Sequence, residues 1–245
     1  MAAMALLASC GTSGYELSSV SRQRILVDRR FDTHPDKRAV AFIAPYRRQV
    51  DSIMSPVVGE VGSYLASSRP ESALSNLLAD IMVWGGREFG EKPDFGIYNM
   101  GGIRAALAKG KVTYGDVVDL APFENHICFV TLSGEKTLEL FQQIAARGGE
   151  AVSHGVNLVI THDGKLVSAS VNGQPVNSGR SYRIATIDYV AQGNDDMRAF
   201  KSAENIVAPQ DQKYDSRFVI MDYFREQTAH GIVVNPKTEG RIVFE

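Results

Sequence analysis

The chain has 245 residues, 44% of them hydrophobic and 22% charged, with 26 basic against 28 acidic side chains and a formal net charge of -2. That is enough apolar material for a sizeable buried core, and the near balance of charge gives no electrostatic basis for binding a nucleic-acid polymer. No apolar run reaches the roughly 20 residues of a membrane-spanning helix.

At the N-terminus, "LASC" at 7–10 reads as a lipobox, in which small residues precede a cysteine that is lipidated. An ordinary N-terminus is the competing reading. The lipobox reading makes 1–20 a lipoprotein signal and tether with Cys10 as the lipidated residue. It expects an exported bacterial lipoprotein, held by a lipid anchor at a membrane surface on the periplasmic or cell-surface side. The only other cysteine, Cys128, lies in the strand-like run "HICFVTL" and reads as a small buried hydrophobe.

Residues 21–36 are polar and punctuated and read as a linker, with one domain, 37–245, after it. "KRAVAFIAPYRRQVDSIMSPVVGEVGSYL" predicts a mainly helical segment interrupted at Pro45 and Pro56. After Pro70, the spacing of Leu74, Leu77, Leu78, Ile81 and Met82 predicts an amphipathic helix ending at Gly85 and Gly86. "DFGIYNM" predicts a short strand, and Leu138, Phe141 and Ile144 predict a helix over 135–146. "NLVITHDGKLVSASVNGQPV" predicts strands joined by turns at Asp163-Gly164 and Asn172-Gly173, and "SYRIATI" predicts another strand. A helix near 216–228 and a terminal "RIVFE" strand complete a mixture without regular βαβ alternation.

Two loops carry candidate chemistry. In "NMGGIR", Gly101 and Gly102 allow a tight turn or a close approach, and Arg104 can fork onto a carboxylate or phosphate or close a structural ion pair. In "PFEN", Phe123 follows a proline in a turn and Asn125 offers a carboxamide; in "DYVAQGNDD", Tyr189 precedes a Gly193–Asn194 turn and Asp195. Two loop aromatics, each beside an amide or carboxylate, suit a flat heterocycle and its sugar, though they also suit the capping of a core.

Taken in order, "NMGGIR", "KVTYGDVVDLAPFENHI", "HGV" and "ATIDYVAQGNDD" resemble the C-terminal domain of the 5'-nucleotidase family, which includes bifunctional UDP-sugar hydrolases. The resemblance runs from about residue 37 to the end. It implies an α+β fold, a layered α/β/β/α sandwich of mixed sheets. It also implies a nucleoside- or nucleotide-binding role, with hydrolysis carried out by a separate metallophosphatase domain bearing two divalent metals. By resemblance, Phe123 and Tyr189 stack on the base, Asn125 contacts it, Asp195 binds the ribose hydroxyls, Arg104 and Arg69 hold the substrate, and Gly155 lies near the base. Met100 and Asn194 depart from the family pattern, standing where a small residue and a second glycine are usual.

Metallophosphatase signatures are not found in the chain. "DTH" at 32–34 has the Asp-x-His form without partner motifs, and His126, His154, His162 and His230 form no ligand cluster in sequence, His126 reading as a surface residue. No cofactor and no catalytic residue are therefore assigned to this chain. The expectation is a recognition domain for nucleotide catabolism working with a metallophosphatase subunit on another polypeptide. A stand-alone nucleoside-binding lipoprotein without hydrolytic activity and a domain with a decayed pocket are the alternatives.

Overall fold

The computed structural model describes residues 15–245, so the lipobox and Cys10 lie outside the described residues. The chain divides after Arg47. In the first unit, residues 15–36 are irregular and exposed apart from a 3-10 turn at Arg29–Phe31. The helix α1 (Lys37–Met54) begins there and ends in the second unit. It carries Pro45 in its interior, so the expected break at that proline does not occur. The chain leaves helix only at Ser55-Pro56, where Pro56 restricts the preceding residue to extended backbone.

The second unit continues with β1 (Val57–Val61), α2 (Ala73–Gly85), β2 (Phe95–Tyr98), β3 (Gly110–Thr113), α3 (Tyr114–Leu120) and β4 (Ile127–Ser133). Then follow α4 (Gly134–Ala146), β5 (Ala151–Val152), β6 (Val156–Ile160), β7 (Leu166–Val171), β8 (Gln174–Pro175) and β9 (Ser181–Ile187). The chain ends with α5 (Asp188–Ala191), β10 (Glu204–Val207), α6 (Ser216–Ala229) and β11 (Ile242–Phe244). The segment after Pro56, expected to be helical, is the strand β1. It pairs antiparallel with β3 and buries Val58 and Val61, and a Cβ on its Gly59 would sit 2.8 Å from the Phe224 ring of α6. Tertiary packing here overrides local helical pattern.

The class is mixed α+β. A five-stranded sheet runs β10-β4-β9-β2-β5 and a four-stranded sheet β11-β6-β7-β8. Neighbouring residues of β2 show how helices cover the larger sheet, because successive side chains of a strand point to opposite faces. A Cβ on Gly96 would meet the Ala79 carbonyl of α2 at 2.6 Å, while the Phe95 ring packs on Phe141 of α4 with centroids 5.4 Å apart. The two helices therefore lie on opposite faces. α2 starts with a capping box, Ser72 and Ser75 each accepting the other's backbone N–H, and buries Leu74, Leu77, Leu78, Ile81 and Met82 as the spacing predicts.

Strand direction then places the loops. β2 runs parallel to β9, and β4 runs antiparallel to β9 with Ile127 opposite Ile187. The C-terminal ends of β2 and β9 and the N-terminal end of β4 therefore share one end of the sheet. Asn99–Arg104, Tyr189–Asp195 and Phe123–His126 are the segments that leave or enter there.

Candidate functional site

At that end of the sheet a cleft of about 180 Å³ is lined by Asn99, Gly101, Phe123, Asn125, Tyr189 and Asp195. This is smaller than the roughly 300–1,000 Å³ of pockets that engulf a drug-sized ligand, and it fits one flat ring system with the remainder of the ligand outside. The Phe123 and Tyr189 side chains are 46% and 37% exposed. Neither stacks on another aromatic ring among the described residues, in contrast to the core pair Phe95 and Phe141. Two large, exposed aromatics lining one cleft offer ring faces to a planar group.

Tyr189 sits in the single turn α5, directly after β9. Its backbone N–H donates to Asp188 Oδ1 at 2.7 Å, and its carbonyl accepts from Asn194 Nδ2 at 2.8 Å. The Asn194 that departs from the family pattern is thus the side chain that closes the loop back on Tyr189. Gly193 follows at φ +82°, a conformation that suits glycine, and Asp195 itself is left-handed at φ +52°. That backbone turns the Asp195 carboxylate toward the cleft, where Asn99 Nδ2 donates to its Oδ2 at 2.6 Å and Arg147 Nη2 lies 3.8 Å from its Oδ1. A carboxylate has about four acceptor positions, so capacity remains for ligand hydroxyls.

Asn99 was not singled out from sequence, although it opens the "NMGGIR" motif. It is 3% exposed, and its Oδ1 is buried without a hydrogen-bond partner. With Nδ2 fixed on Asp195, the amide orientation is set, and Oδ1 is left buried on the side of Gly102. Gly102 makes room for it, since a Cβ there would be 2.5 Å from Asn99 Oδ1.

Glu150 was also missed, and it organises the cleft from behind. Its side chain is fully buried. Oε2 accepts the Met100 N–H at 2.5 Å, and Oε1 accepts from Arg147 Nε at 2.7 Å and from Arg69 Nη2. Met100, the other departure from the family pattern, is itself buried and gives its N–H to this carboxylate. Burial works against the charge on Arg147, but its hydrogen bond to Glu150, with Asp195 and Asp196 nearby, holds its pKa above the ordinary guanidinium value. One chain of contacts thus runs from Arg69 through Glu150 and Arg147 to Asp195 and Asn99. The sequence signal was weak: one Glu after the Gly148-Gly149 pair.

The expected substrate residues separate into groups. Phe123, Asn125, Tyr189 and Asp195 share the cleft. Arg104 is exposed beside it, its guanidinium meeting among the described residues only the Gly101 carbonyl, at 3.4 Å, so most of its donors are left for solvent. Arg69 is not at the cleft wall; its Nε donates to the Gly149 carbonyl at 2.8 Å and its Nη2 to Glu150, a supporting position. Gly155 lies in a different depression, lined also by His154, Asn157, Asn172, Glu239 and Arg241. Its φ of +88° and the 2.3 Å a Cβ would have to Asn172 Oδ1 explain its glycine by backbone geometry. His126, read as a surface residue, has a side chain only 17% exposed between Asp188 and Asp215. Among the described residues no group of three or more His, Cys, Asp or Glu is placed to hold a metal ion.

The profile of the 5'-nucleotidase, C-terminal domain matches residues 55–202. The chain belongs to that family. It is 28% identical over 236 residues to the trifunctional nucleotide phosphoesterase protein YfkN of Bacillus subtilis, covering 88% of this chain and 16% of that protein. It is 23% identical over 177 residues to the silent protein UshA(0) of Salmonella typhimurium, covering 71% of this chain and 32% of the relative. The chain thus spans a third or less of these relatives. Among solved structures, the 5'-nucleotidase precursor of Thermus thermophilus superposes with a TM-score of 0.72 at 25% identity, over 84% of this chain and 43% of that one. The NAD nucleotidase of Haemophilus influenzae shares the fold, with a TM-score of 0.61 at 22% identity, over 86% of this chain and 41% of that one.

Proposed function

We propose that this domain recognises the nucleoside part of a nucleotide, and that the phosphate ester is hydrolysed by a metallophosphatase on a separate polypeptide that docks with it. The observation that carries the reading is the convergence of Phe123, Asn125, Tyr189 and Asp195, from two distant stretches of sequence, on one cleft. The rings of Phe123 and Tyr189 take the base, Asn125 offers hydrogen bonds to its edge, and Asp195 accepts from the sugar hydroxyls. Arg104, exposed at the rim, is available to the sugar or to phosphate oxygens. Divalent metals on the partner would supply an activated water. The residues here contribute position: binding energy from the remote nucleoside holds the phosphate in place for attack.

Docking is supported by α1. Val40, Phe42, Ile43, Tyr46, Val50 and Ile53 are all more than half exposed, and Ile43, Tyr46, Val50 and Ile53 recur at three- and four-residue steps along one face. A partner surface would cover that stripe. No helix among the described residues is long and apolar enough to cross a membrane; attachment through Cys10 is part of the proposal and is tested by whether Cys10→Ser releases the protein from membranes. The hydrolytic reading is tested by mixing the purified chain with candidate metallophosphatases and a nucleoside monophosphate. Hydrolysis that rises only on mixing supports it, whereas nucleoside binding without any activation favours a stand-alone binding protein.

A further inference from the structure

Asn99 stands between β2 and the 3-10 turn Met100–Gly102, where an asparagine side chain ordinarily caps the turn by accepting a backbone N–H. It makes no such cap. Its Oδ1, the atom that would do so, is buried and has no hydrogen-bond partner among the described residues. Its Nδ2 donates instead to Asp195 Oδ2 at 2.6 Å, across 96 positions of sequence. Leaving a buried acceptor unpaired costs stability, so this amide serves the carboxylate rather than its own turn.

The carboxylate that receives it is held from several sides. Asp195 and Asp196 both have left-handed backbone, at φ +52° and +57°, after Gly193 at +82°. Arg147 Nη2 lies 3.8 Å from Asp195 Oδ1 and its Nη1 3.4 Å from Asp196 Oδ2, while its Nε donates to the buried Glu150. Gly101, in the cleft lining, puts no side chain over the Asn99–Asp195 pair: a Cβ there would stand 3.5 Å from Asp195 Oδ2 and 3.7 Å from Asn99 Nδ2. The bond from Asn99 uses one acceptor position, so each carboxylate oxygen can still accept, and the group is held in one orientation. The two vicinal hydroxyls of a furanose have a separation set by the ring, and two carboxylate oxygens at fixed positions match them. A carboxylate free to turn would first have to be ordered, which weakens the gain from a second hydroxyl.

We propose that Asn99 is a positioning residue that makes the cleft selective for ribonucleosides, by holding the Asp195 carboxylate in the orientation that accepts both hydroxyls of a vicinal diol. The proposal rests on the nucleoside reading of the cleft and narrows the ligand to one that carries both ribose hydroxyls.

The full chain is titrated calorimetrically with adenosine, 2'-deoxyadenosine and 2',3'-dideoxyadenosine, which share the base and differ only in hydroxyls. The proteins are the wild type, Asn99→Ala, Asn99→Ser, Asp195→Gly, in which glycine accepts the positive φ, and the double variant Asn99→Ala, Asp195→Gly. Circular dichroism establishes which variants are folded. The wild type should bind adenosine at least about tenfold more tightly than 2'-deoxyadenosine, the scale of one hydrogen bond to a charged group. In the Asn99 variants this ratio should fall below about threefold with dideoxyadenosine affinity unchanged, and adding Asn99→Ala to Asp195→Gly should have no further effect on adenosine. Equal losses for all three ligands in the Asn99 variants, or failure of both variants to fold, would assign the side chain to the base or to the fold and overturn the proposal. Wild-type discrimination retained in the variants would overturn it as well. A wild type that binds adenosine and dideoxyadenosine equally would also overturn it, while leaving the aromatic clamp standing. No binding of any of the three to the folded wild type would overturn the nucleoside reading and this proposal together.

Discussion

Replacing Glu150 by leucine removes the one carboxylate that faces Arg69, Arg147 and the Met100 N–H together. Breaking a buried ion pair from one side costs about 3–5 kcal/mol when the abandoned charge stays buried. Here the Arg69 and Arg147 side chains are 39% and 24% exposed, so water recovers much of their charge and that contribution shrinks to about 1 kcal/mol. The Met100 N–H belongs to a buried residue and has no such relief, adding about 1–3 kcal/mol. The expected loss is therefore about 3 kcal/mol, a large share of a domain's usual 5–15 kcal/mol. Glu150→Gln should cost nearly as much, because its single carbonyl oxygen cannot serve both the Met100 N–H and the guanidinium groups. Urea denaturation followed by circular dichroism reads the loss. The double variant Glu150→Leu, Arg147→Met should recover part of it, since the Arg147 guanidinium is no longer left facing an apolar side chain in place of Glu150. A loss below about 0.5 kcal/mol in Glu150→Leu, or no recovery in the double variant, would refute the reasoning that this carboxylate holds the cleft from behind.

Three further outcomes follow from the geometry. Arg241 is 2% exposed, pairs with both oxygens of Asp80 at 2.9 and 2.8 Å and donates to the Asn76 and Val152 carbonyls; Arg241→Ala should lower stability by about 3–5 kcal/mol in urea titrations, and adenosine affinity should be unchanged under conditions where the variant is folded. Gly155→Ala should destabilise by about 1–3 kcal/mol through its positive φ and the Asn172 clash, again without altering nucleoside affinity; a selective affinity loss would return Gly155 to the binding site. The raised Cys128 thiol keeps its proton in the folded state up to about pH 11, whereas the unfolded chain releases it from about pH 9. The folded state binds more protons in that window, so stability falls as pH rises through it, and Cys128→Ala should make the fall shallower.

Much of the cleft was legible in sequence because its residues sit in short motifs with fixed strand-to-loop geometry. Phe123 and Asn125 precede β4, Tyr189 follows β9, and the pairing of Ile127 with Ile187 brings the two loops to one end of the sheet. Asn99 and Glu150 were not legible, for different reasons. Asn99 is adjacent to the glycines that dominate its motif, and its role shows only once Asp195 is seen to hold its amide. Glu150 is brought to Met100 and Arg69 by tertiary packing, and no local pattern distinguishes a buried carboxylate from a solvated one. For Arg69 the resemblance implies a substrate contact, and in the structure its partners are Gly149 and Glu150. In α1, Pro45 suggested a break, but eighteen residues remain helical around it, while the segment after Pro56 became a strand because β3 and α6 offered it a partner and a core.

The measurement that bears most directly on the account is a calorimetric titration of the purified chain with adenosine, beside Tyr189→Ala and with circular dichroism confirming that the variant is folded. Base–aromatic stacking is worth about 1–3 kcal/mol per base, so the account predicts saturable binding to the wild type and an affinity about 10- to 100-fold weaker in the variant. Equal affinity in the two proteins, or no binding of adenosine or any other nucleoside to the folded wild type, would contradict it.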